Sequence, residues 1–155
     1  MLVNKTYRVI PFHPSHVQDV VTGEGRVLSP AKFGDVGKHP AFSVYHGDTY
    51  LMSGGVVAAA AWWGTAWLIL NSAEACKHLT FIVRNVRRYL TQLQHQGMHR
   101  IEATCFTGTP NGGRLLKALG FELECEMALA GPRGETGERY VRLQWPIQSQ
   151  LPQSR

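Results

Sequence analysis

The chain has 155 residues, of which 44% are hydrophobic and 17% are charged, a composition typical of one folded domain rather than a disordered segment. Its formal net charge of +5 favours acidic partners such as nucleotides, nucleic acid or an acidic protein face. The three cysteines are odd in number and lack a CxxC spacing, which indicates a reducing compartment rather than a disulfide framework. Since no secretory leader pattern opens the chain and no apolar run is long enough to cross a bilayer, we expect a cytosolic or particle-associated protein.

The first 40 residues predict an opening strand, a helix and a loop. The strand is expected at residues 7–11, and Ser15 is placed to cap a helix that runs towards Val21. Residues 22–40 are rich in Gly, Pro, Lys and Asp and show little periodicity. They therefore predict a long surface loop.

The next 30 residues predict an antiparallel hairpin and a buried strand. The hairpin joins strands at residues 41–46 and 49–53 through a tight turn at Gly47-Asp48. In residues 56–63, alanines favour a helix while paired valines and tryptophans favour a strand, so we expect a strand or irregular packing. The continuous apolar run at residues 66–70 predicts a central buried strand.

The clearest predicted element is a long helix. Its apolar stripe recurs at helical spacing: Leu79, Ile82, Val83, Val86, Leu90 and Leu93. Gly97 is a natural stop. The cations Arg84, Arg87 and Arg88 fall mostly off the stripe, which most often indicates a solvated outer face. A strand at residues 101–106 follows, so strand, helix and strand predict a crossover between two parallel strands.

The remaining residues predict a short helix and a closing hairpin. Thr109 or Asn111 is expected to cap a helix at residues 114–119, which Gly120 ends. Strands at 121–129 and 139–145 then enclose a Gly-rich loop at 131–137. We expect a single domain over residues 1–146 and a polar tail over residues 147–155.

This order of elements resembles the GNAT acetyltransferases, most specifically from Ala66 to the Gly120-Phe121 exit. The resemblance implies an α+β, three-layer fold with a mixed, mostly antiparallel sheet and a central strand–helix–strand crossover. Members of the family bind acetyl-coenzyme A where the two parallel strands splay apart and the long helix begins, because amide groups and the helix dipole accept the pyrophosphate. The cofactor-binding residues so implied are Leu70, Lys77, His78, Leu79 and Thr80, with His78 expected to be exposed.

The chain departs from the family's pyrophosphate motif, which is Gln or Arg, two residues, Gly, one residue, then Gly or Ala. The basic position falls at Lys77, and the two small positions fall at Thr80 and Ile82. No glycine occurs between Thr65 and Gly97. Since side-chain bulk keeps a backbone away from a phosphate, we expect a degenerate coenzyme site.

The acid–base residues of the family are also changed. Thr109 and Leu116 occupy the places of its Asn and its general-acid Tyr, and a leucine donates no proton. Glu74 and Glu102 are the remaining candidates for a catalytic base, although most such carboxylates are ordinary surface groups. The histidines at positions 13 and 16 have no acidic or cysteine partner nearby, so no metal site is expected.

Several further positions point to one subgroup of the family. They are Gly54-Gly55 after the hairpin, Trp67 in the buried strand, the glycine-free basic helix, and Arg114, Leu116, Lys117 and Gly120 at the exit. In these the chain is similar to the GNAT-like internal virion or morphogenesis proteins of short-tailed phages. This similarity implies a role in virion assembly, partners among phage virion or assembly proteins, and a location in the host cytoplasm or the virion.

Three functions follow from these observations. The first is a phage GNAT-fold protein that acts by binding other proteins and uses no cofactor. The second is an acetyl-CoA-dependent N-acetyltransferase of an amine, in which Lys77 and the amides of residues 78–80 hold the pyrophosphate and Glu74 or Glu102 is the base. The third is a nucleic-acid-binding protein that uses Arg84, Arg87 and Arg88 together with Arg100.

Overall fold

The structure, a computed structural model, describes residues 6–17, 20, 35–109 and 111–145. It contains seven strands and three α-helices in these residues: β1 (Tyr7–Pro11), β2 (Ala41–His46), β3 (Thr49–Ala60), β4 (Trp63–Leu70), α1 (Ser72–Ala75), α2 (Leu79–His95), β5 (Arg100–Phe106), α3 (Gly112–Ala118), β6 (Glu122–Met127) and β7 (Gly137–Leu143). Short 3₁₀ turns cover Pro14–Val17, Val36–Lys38 and Cys76–His78.

The strands form one sheet in the order β1-β2-β3-β4-β5-β7-β6. Every neighbouring pair is antiparallel except β4 and β5, which are parallel. A parallel pair needs a crossover connection, and α2 provides it. The predicted mixed, mostly antiparallel sheet with a strand–helix–strand crossover is confirmed.

Helix α2 packs on one face of the sheet along its apolar stripe. Ile82 is fully buried, Val86 and Leu90 are nearly so, and all three belong to the same core as Met52 of β3 and Ile101 of β5. Burial of such a side chain contributes about 2 kcal/mol. The periodicity of the sequence therefore identified both the helix and its buried face.

Strand β3 runs without a break from Thr49 to Ala60, so it joins the strand predicted at residues 49–53 to the stretch at 56–63, where a strand or irregular packing was expected and a strand is confirmed as far as Ala60. Residues 52–60 pair with β4, which begins at Trp63 rather than at residue 66. Cross-strand pairing thus overrides the helix preference of the alanines in this stretch. Glycine is required within it, because a Cβ at Gly55 would lie 2.6 Å from the Ala41 Cβ and 2.7 Å from the Pro40 carbonyl oxygen.

The end of the chain agrees with the sequence apart from element boundaries. Helix α3 begins after Asn111, whose backbone is left-handed (φ 58°) and whose side chain makes no capping bond. Strand β6 is shorter than the predicted run at 121–129, and β7 begins two residues earlier than predicted. Residues 18–19, 21–34 and the expected tail 147–155 lie outside the described residues.

Near the N-terminus the helix start expected at Ser15 is a 3₁₀ turn. None of the helices in the described ranges combines the length and apolar character needed to cross a membrane. No disulfide joins the three cysteines, all of which the structure describes, and Cys125 is exposed although it lies in a strand.

Candidate functional site

The two parallel strands separate soon after they meet. β4 and β5 pair only through Trp63 with Arg100, Gly64 with Ile101 and Thr65 with Glu102. Beyond these pairs, residues 66–70 of β4 bond only to β3, and residues 103–106 of β5 bond only to β7. The sheet therefore splays at the carboxyl ends of β4 and β5, the end at which the chain enters α2.

The segment between β4 and α2 is helical. Asn71 anchors it, since its amide donates to the Leu51 carbonyl at 2.9 Å and its side chain donates to the Tyr50 carbonyl at 3.0 Å. Helix α1, with Ala75 fully buried, and the Cys76–His78 3₁₀ turn then lead directly into α2. The segment is therefore fixed to the core by its backbone and by a buried side chain.

The residues implied to bind a cofactor do lie around the start of α2. Leu70 is half-buried at the end of β4, while Lys77, Leu79 and Thr80 are exposed. The Lys77 Nζ is 3.0 Å from a Glu74 carboxylate oxygen, an exposed i,i+3 ion pair. These residues are near one another in the chain, and the helical turns keep them on a short stretch of surface.

His78 differs from its expected exposure. The ring is half-buried, its Nδ1 lies 2.8 Å from the Tyr7 hydroxyl, and it contacts the ring of His46 at a centroid distance of 4.5 Å. Tyr7 also stacks on Phe81 at 3.6 Å. The expectation was wrong because β1 and the end of β2 pack against the start of α2, a long-range contact that the local sequence does not indicate.

The two candidate bases occupy different places. Glu74 lies in α1 beside Lys77, whereas Glu102 is the last residue of β5 that pairs with β4. Side chains alternate along β5, and Ile101 faces the α2 side, so Glu102 points to the opposite face. There it accepts a hydrogen bond of 2.7 Å from the Arg100 Nε. Glu102 thus lies at the point where β4 and β5 begin to separate (the apex of the splay). Each candidate base accepts a hydrogen bond from a cation, Glu74 from Lys77 and Glu102 from Arg100.

Three tyrosines are candidates to replace the family's acid, and the hydroxyl of each already donates a hydrogen bond within the protein. The hydroxyl of Tyr140 donates to Glu138 at 2.9 Å, that of Tyr89 to the Pro40 carbonyl at 2.8 Å and that of Tyr50 to Ser53 at 2.9 Å. Leu116 packs against the hydrophobic core. The hydrogen bond to Glu138 and burial raise the pKa of Tyr140, so its hydroxyl stays protonated.

A polar network on the face away from α2 was not expected from the sequence. His16 Nδ1 accepts the His13 amide at 3.1 Å, so it carries no proton, and the Ser43 hydroxyl 2.9 Å away must donate to it. Ser53 then donates to Ser43 at 2.7 Å, and Tyr50 donates to Ser53. Burial raises the pKa of Tyr50, and burial followed by the charge of His13 lowers the pKa of His16. The result is a one-way chain of hydroxyl groups ending on a neutral imidazole.

No sequence pattern indicates this network, because its members lie far apart in the chain. His16 and Ser43 are 27 residues apart, and Ser43 and Ser53 are 10 residues apart. The described residues contain no group of three or more His, Cys, Asp or Glu placed to hold a metal ion.

Acetyl-coenzyme A requires a cation and closely approaching amides for its pyrophosphate. The splayed strands and Lys77 are present. However, every residue from Asn71 to Phe81 carries a side chain, the segment is helical, and Ala75 anchors it in the core. The segment between β4 and α2 therefore offers a cation and a helix start but contains none of the glycines of the family's pyrophosphate motif.

The basic residues assigned to one group by the sequence divide into two. Arg84, Arg87 and Arg88 are exposed on α2, as expected for a solvated face. Arg100 lies on β5 and binds Glu124 as well as Glu102. Its grouping with the helix cations was wrong, because the strand register directs it to the other face of the sheet.

No protein-family model matches the sequence, and no curated protein matches it. Among solved structures, the ribosomal-protein-S18-alanine N-acetyltransferase from Escherichia coli is similar with a TM-score of 0.74 at 10% identity, covering 95% of this chain and 99% of that one. A GNAT-family acetyltransferase from Bacillus anthracis has a TM-score of 0.68 at 15% identity, covering 92% and 98%.

A third similar structure is yncA from Salmonella typhimurium, solved with its cofactor acetyl-CoA. Its TM-score is 0.61 at 12% identity, and the match covers 88% of this chain and 93% of that one. Identities this low carry the fold and not the activity. The splayed parallel pair, the crossover helix and these near-complete matches agree: the chain has the fold of the GNAT acetyltransferases.

Proposed function

We propose that this chain is a phage-encoded GNAT-fold protein with a degenerate coenzyme site, which acts in virion assembly or as a virion component by binding other proteins. The observation that carries the proposal is the glycine-free, helical segment between β4 and α2. A pyrophosphate is bound by amide groups that it can approach closely, and the side chains of this segment prevent that approach.

The loss of the proton donor supports the same conclusion. Leu116 occupies the position of the family's acid and is packed in the core, where it has no proton to give. The three tyrosines considered as substitutes already donate to other groups of the protein. On this proposal, the chain keeps the GNAT fold but lacks both the phosphate-binding turn and the general acid that acetyl transfer uses.

An exposed apolar patch supports binding to a protein. At the end of the sheet opposite the splay, the exposed fractions are 54% for Trp62, 46% for Leu143 and 82% for Trp145. The Arg100 amide donates to the Trp62 carbonyl, and Leu143 pairs with Arg100, so the first two residues belong to neighbouring elements. Large exposed apolar groups at one site are typical of protein interfaces, and tryptophan is enriched among their strongest contacts.

The phage origin and the class of partner rest on the similarity to internal virion and morphogenesis proteins. Of the glycines in that pattern, Gly55 lies where β2 approaches β3 closely, and Gly54 lies close to the backbone of β4. On this proposal the protein resides in the host cytoplasm during assembly or in the finished particle.

A second candidate function is acetyl transfer from acetyl-CoA to an amine. The splay of β4 and β5 favours it, as does the acetyl-CoA-bound structure of yncA. Lys77 would hold the pyrophosphate, and Glu102, at the apex of the splay, would take the proton of the amine after release from Arg100. Attack of the positioned, deprotonated amine on the thioester carbon would form the amide and break the carbon–sulfur bond, and coenzyme A would leave as a thiolate that takes its proton from water.

Calorimetric titration of the purified protein with acetyl-CoA separates the two functions. If the protein acts in assembly, we expect no saturable heat up to about millimolar acetyl-CoA. A dissociation constant in that range corresponds to a binding free energy of only about 4 kcal/mol. Saturable micromolar binding that Lys77→Ala weakens and Lys38→Ala leaves unchanged would refute the degenerate site and support the enzyme.

Binding to virions tests the proposed partner class. Tagged protein is mixed with purified short-tailed phage assembly intermediates, and co-sedimentation is measured. Trp62→Ser with Trp145→Ser should reduce co-sedimentation at least several-fold. Leu129→Ser, at a residue that is 80% exposed in the loop after β6, is the matched control and should change nothing. Equal co-sedimentation of all variants would contradict a role for the patch.

A further inference from the structure

The exposed sides of α2 and α3 carry several positive side chains and no acidic ones. Helices α2 and α3 carry five exposed cations and, as their sequences show, not one Asp or Glu. The five are Arg84, Arg87 and Arg88 on α2 and Arg114 and Lys117 on α3. We call these five residues the cationic surface.

The two helices lie on the same face of the sheet and touch. The Arg87 guanidinium donates to the Ala118 carbonyl, at the end of α3, at 3.3 Å. The residues at spacings of three and four on α2 share one side of that helix, and the two on α3 are three apart. Beneath them, Arg142 of β7 reaches up to the Thr91 hydroxyl at 2.8 Å. Burial, followed by the charge of Arg87, lowers the pKa of Arg142, as expected where cations are close.

The cations of this surface differ from most other cations in the described residues, although Arg139 and Arg142 also lack a carboxylate partner. Arg8, Lys38, Lys77, Arg100 and Arg133 each form an ion pair with a carboxylate. By contrast, no carboxylate in the described part of the chain pairs with any of the five cations of the cationic surface. Unpaired like charges repel one another, so their concentration on two adjoining helices favours the binding of an anionic partner.

The chemistry of the surface identifies the partner. Apart from Leu79 at the first position of α2, neither helix has an exposed large apolar side chain. Protein interfaces and membrane-surface helices both need such groups, and proteins that hold single strands stack the bases on exposed aromatic rings. A duplex needs none of these, because its affinity comes from cations placed on phosphates.

We propose that the cationic surface binds the phosphate backbone of a nucleic-acid duplex without reading its sequence. Arg84, Arg87 and Arg88 supply one group of phosphate contacts, and Arg114 with Lys117 supplies a second, on the adjoining helix. The inference is independent of the coenzyme question, since neither Lys77 nor Glu102 belongs to the surface.

Fluorescence anisotropy with labelled duplexes of 20 base pairs tests it, with one DNA and one RNA duplex to establish which is preferred. Five phosphate contacts predict a slope of about −4 to −4.5 for log affinity against log salt. Arg84→Gln with Arg87→Gln and Arg88→Gln should weaken binding at low salt by more than ten-fold and reduce the slope by about 3. Arg114→Gln with Lys117→Gln should reduce the slope by about 2 and serves as the second variant if the first does not fold.

The matched control replaces two paired cations away from the surface, Lys38→Gln and Arg133→Gln, and should leave the slope unchanged. Circular dichroism verifies that each variant is folded. The proposal is overturned if the triple variant keeps the wild-type slope, if a single-stranded oligonucleotide binds more tightly than either duplex, or if polyglutamate displaces the duplex at equal charge concentration. Displacement by saturating acetyl-CoA would also overturn it, since the cations would then serve the cofactor.

Discussion

Ser43 of β2 and Ser53 of β3 face each other across the sheet with their hydroxyl oxygens 2.7 Å apart, and both residues are fully buried. Their bond is the centre of the chain that starts at Tyr50 and ends on His16. A buried hydroxyl that loses its partner keeps the cost of its desolvation, so these two residues depend on each other.

We expect Ser43→Ala and Ser53→Ala each to lower the free energy of unfolding by about 2 kcal/mol, because each leaves buried partners unsatisfied. The double variant should cost less than the sum by on the order of 1 kcal/mol, since it removes both members of one bond. Urea denaturation measures all three. Thr104→Val, at an exposed strand position, is the control and should stay within about 0.5 kcal/mol. Strict additivity would mean that the serines do not interact.

The neutral state of His16 makes stability depend on pH. Its pKa in the folded protein lies below the ordinary value of 6.5, so the unfolded chain binds the proton more readily. The contribution of neutral His16 to the free energy of unfolding is therefore complete above pH 6.5. It is lost as the pH falls through the lower pKa that His16 has in the folded protein. Between pH 7.5 and pH 5.5, the urea midpoint of the wild type should fall more than that of His16→Gln. His95→Gln, on the exposed end of α2, should behave as the wild type; a fall of equal size in His16→Gln would refute the role of His16.

Gly55 should not tolerate a larger residue. The added Cβ of Gly55→Ala would overlap the Ala41 side chain and the Pro40 carbonyl, neither of which can move without displacing β2. We expect a loss of about 2 kcal/mol, in the range of overpacked cores. Thermal unfolding measures it, with Ala58→Ser, at an exposed position of the same strand, as control. An unchanged melting temperature would show that β2 and β3 separate easily here.

Arg100 should matter more than the other paired cations. Its side chain is 27% exposed and binds Glu102, which is 12% exposed, so Arg100→Met leaves a carboxylate nearly buried without a partner. The expected loss is about 2 kcal/mol. Lys38→Met breaks the fully exposed pair with Asp35 and should have no measurable effect. Denaturant titrations of the two variants at low and high salt make the comparison, and equal effects would contradict it.

The sequence predicted the part of the fold that local periodicity determines. The stripe of α2 and the apolar run of β4 are strong signals, so the crossover and its parallel pair were correct. The extent of β3 was predicted in part: a strand or irregular packing was expected at residues 56–63, but only pairing with β4 continues β3 without a break to Ala60. For the candidate site, the positions of Lys77 and Glu102 followed from the pattern. The surroundings of His78 and the network on His16 did not, since strand register and long-range packing decide them.

The three residue pairs between β4 and β5 divide the sheet into a four-stranded and a three-stranded antiparallel half. Besides that seam, α2 holds the halves together: Tyr89 rests on Phe42 of the first, and Gln94 donates to the Arg142 carbonyl of the second. Whether the two halves unfold together therefore depends mainly on the contacts of α2. In native-state hydrogen exchange, Leu90→Ala should make the amides of β5 and β7 exchange through an opening that β2 and β3 do not share. Exchange of both halves at one common free energy would show that the seam suffices.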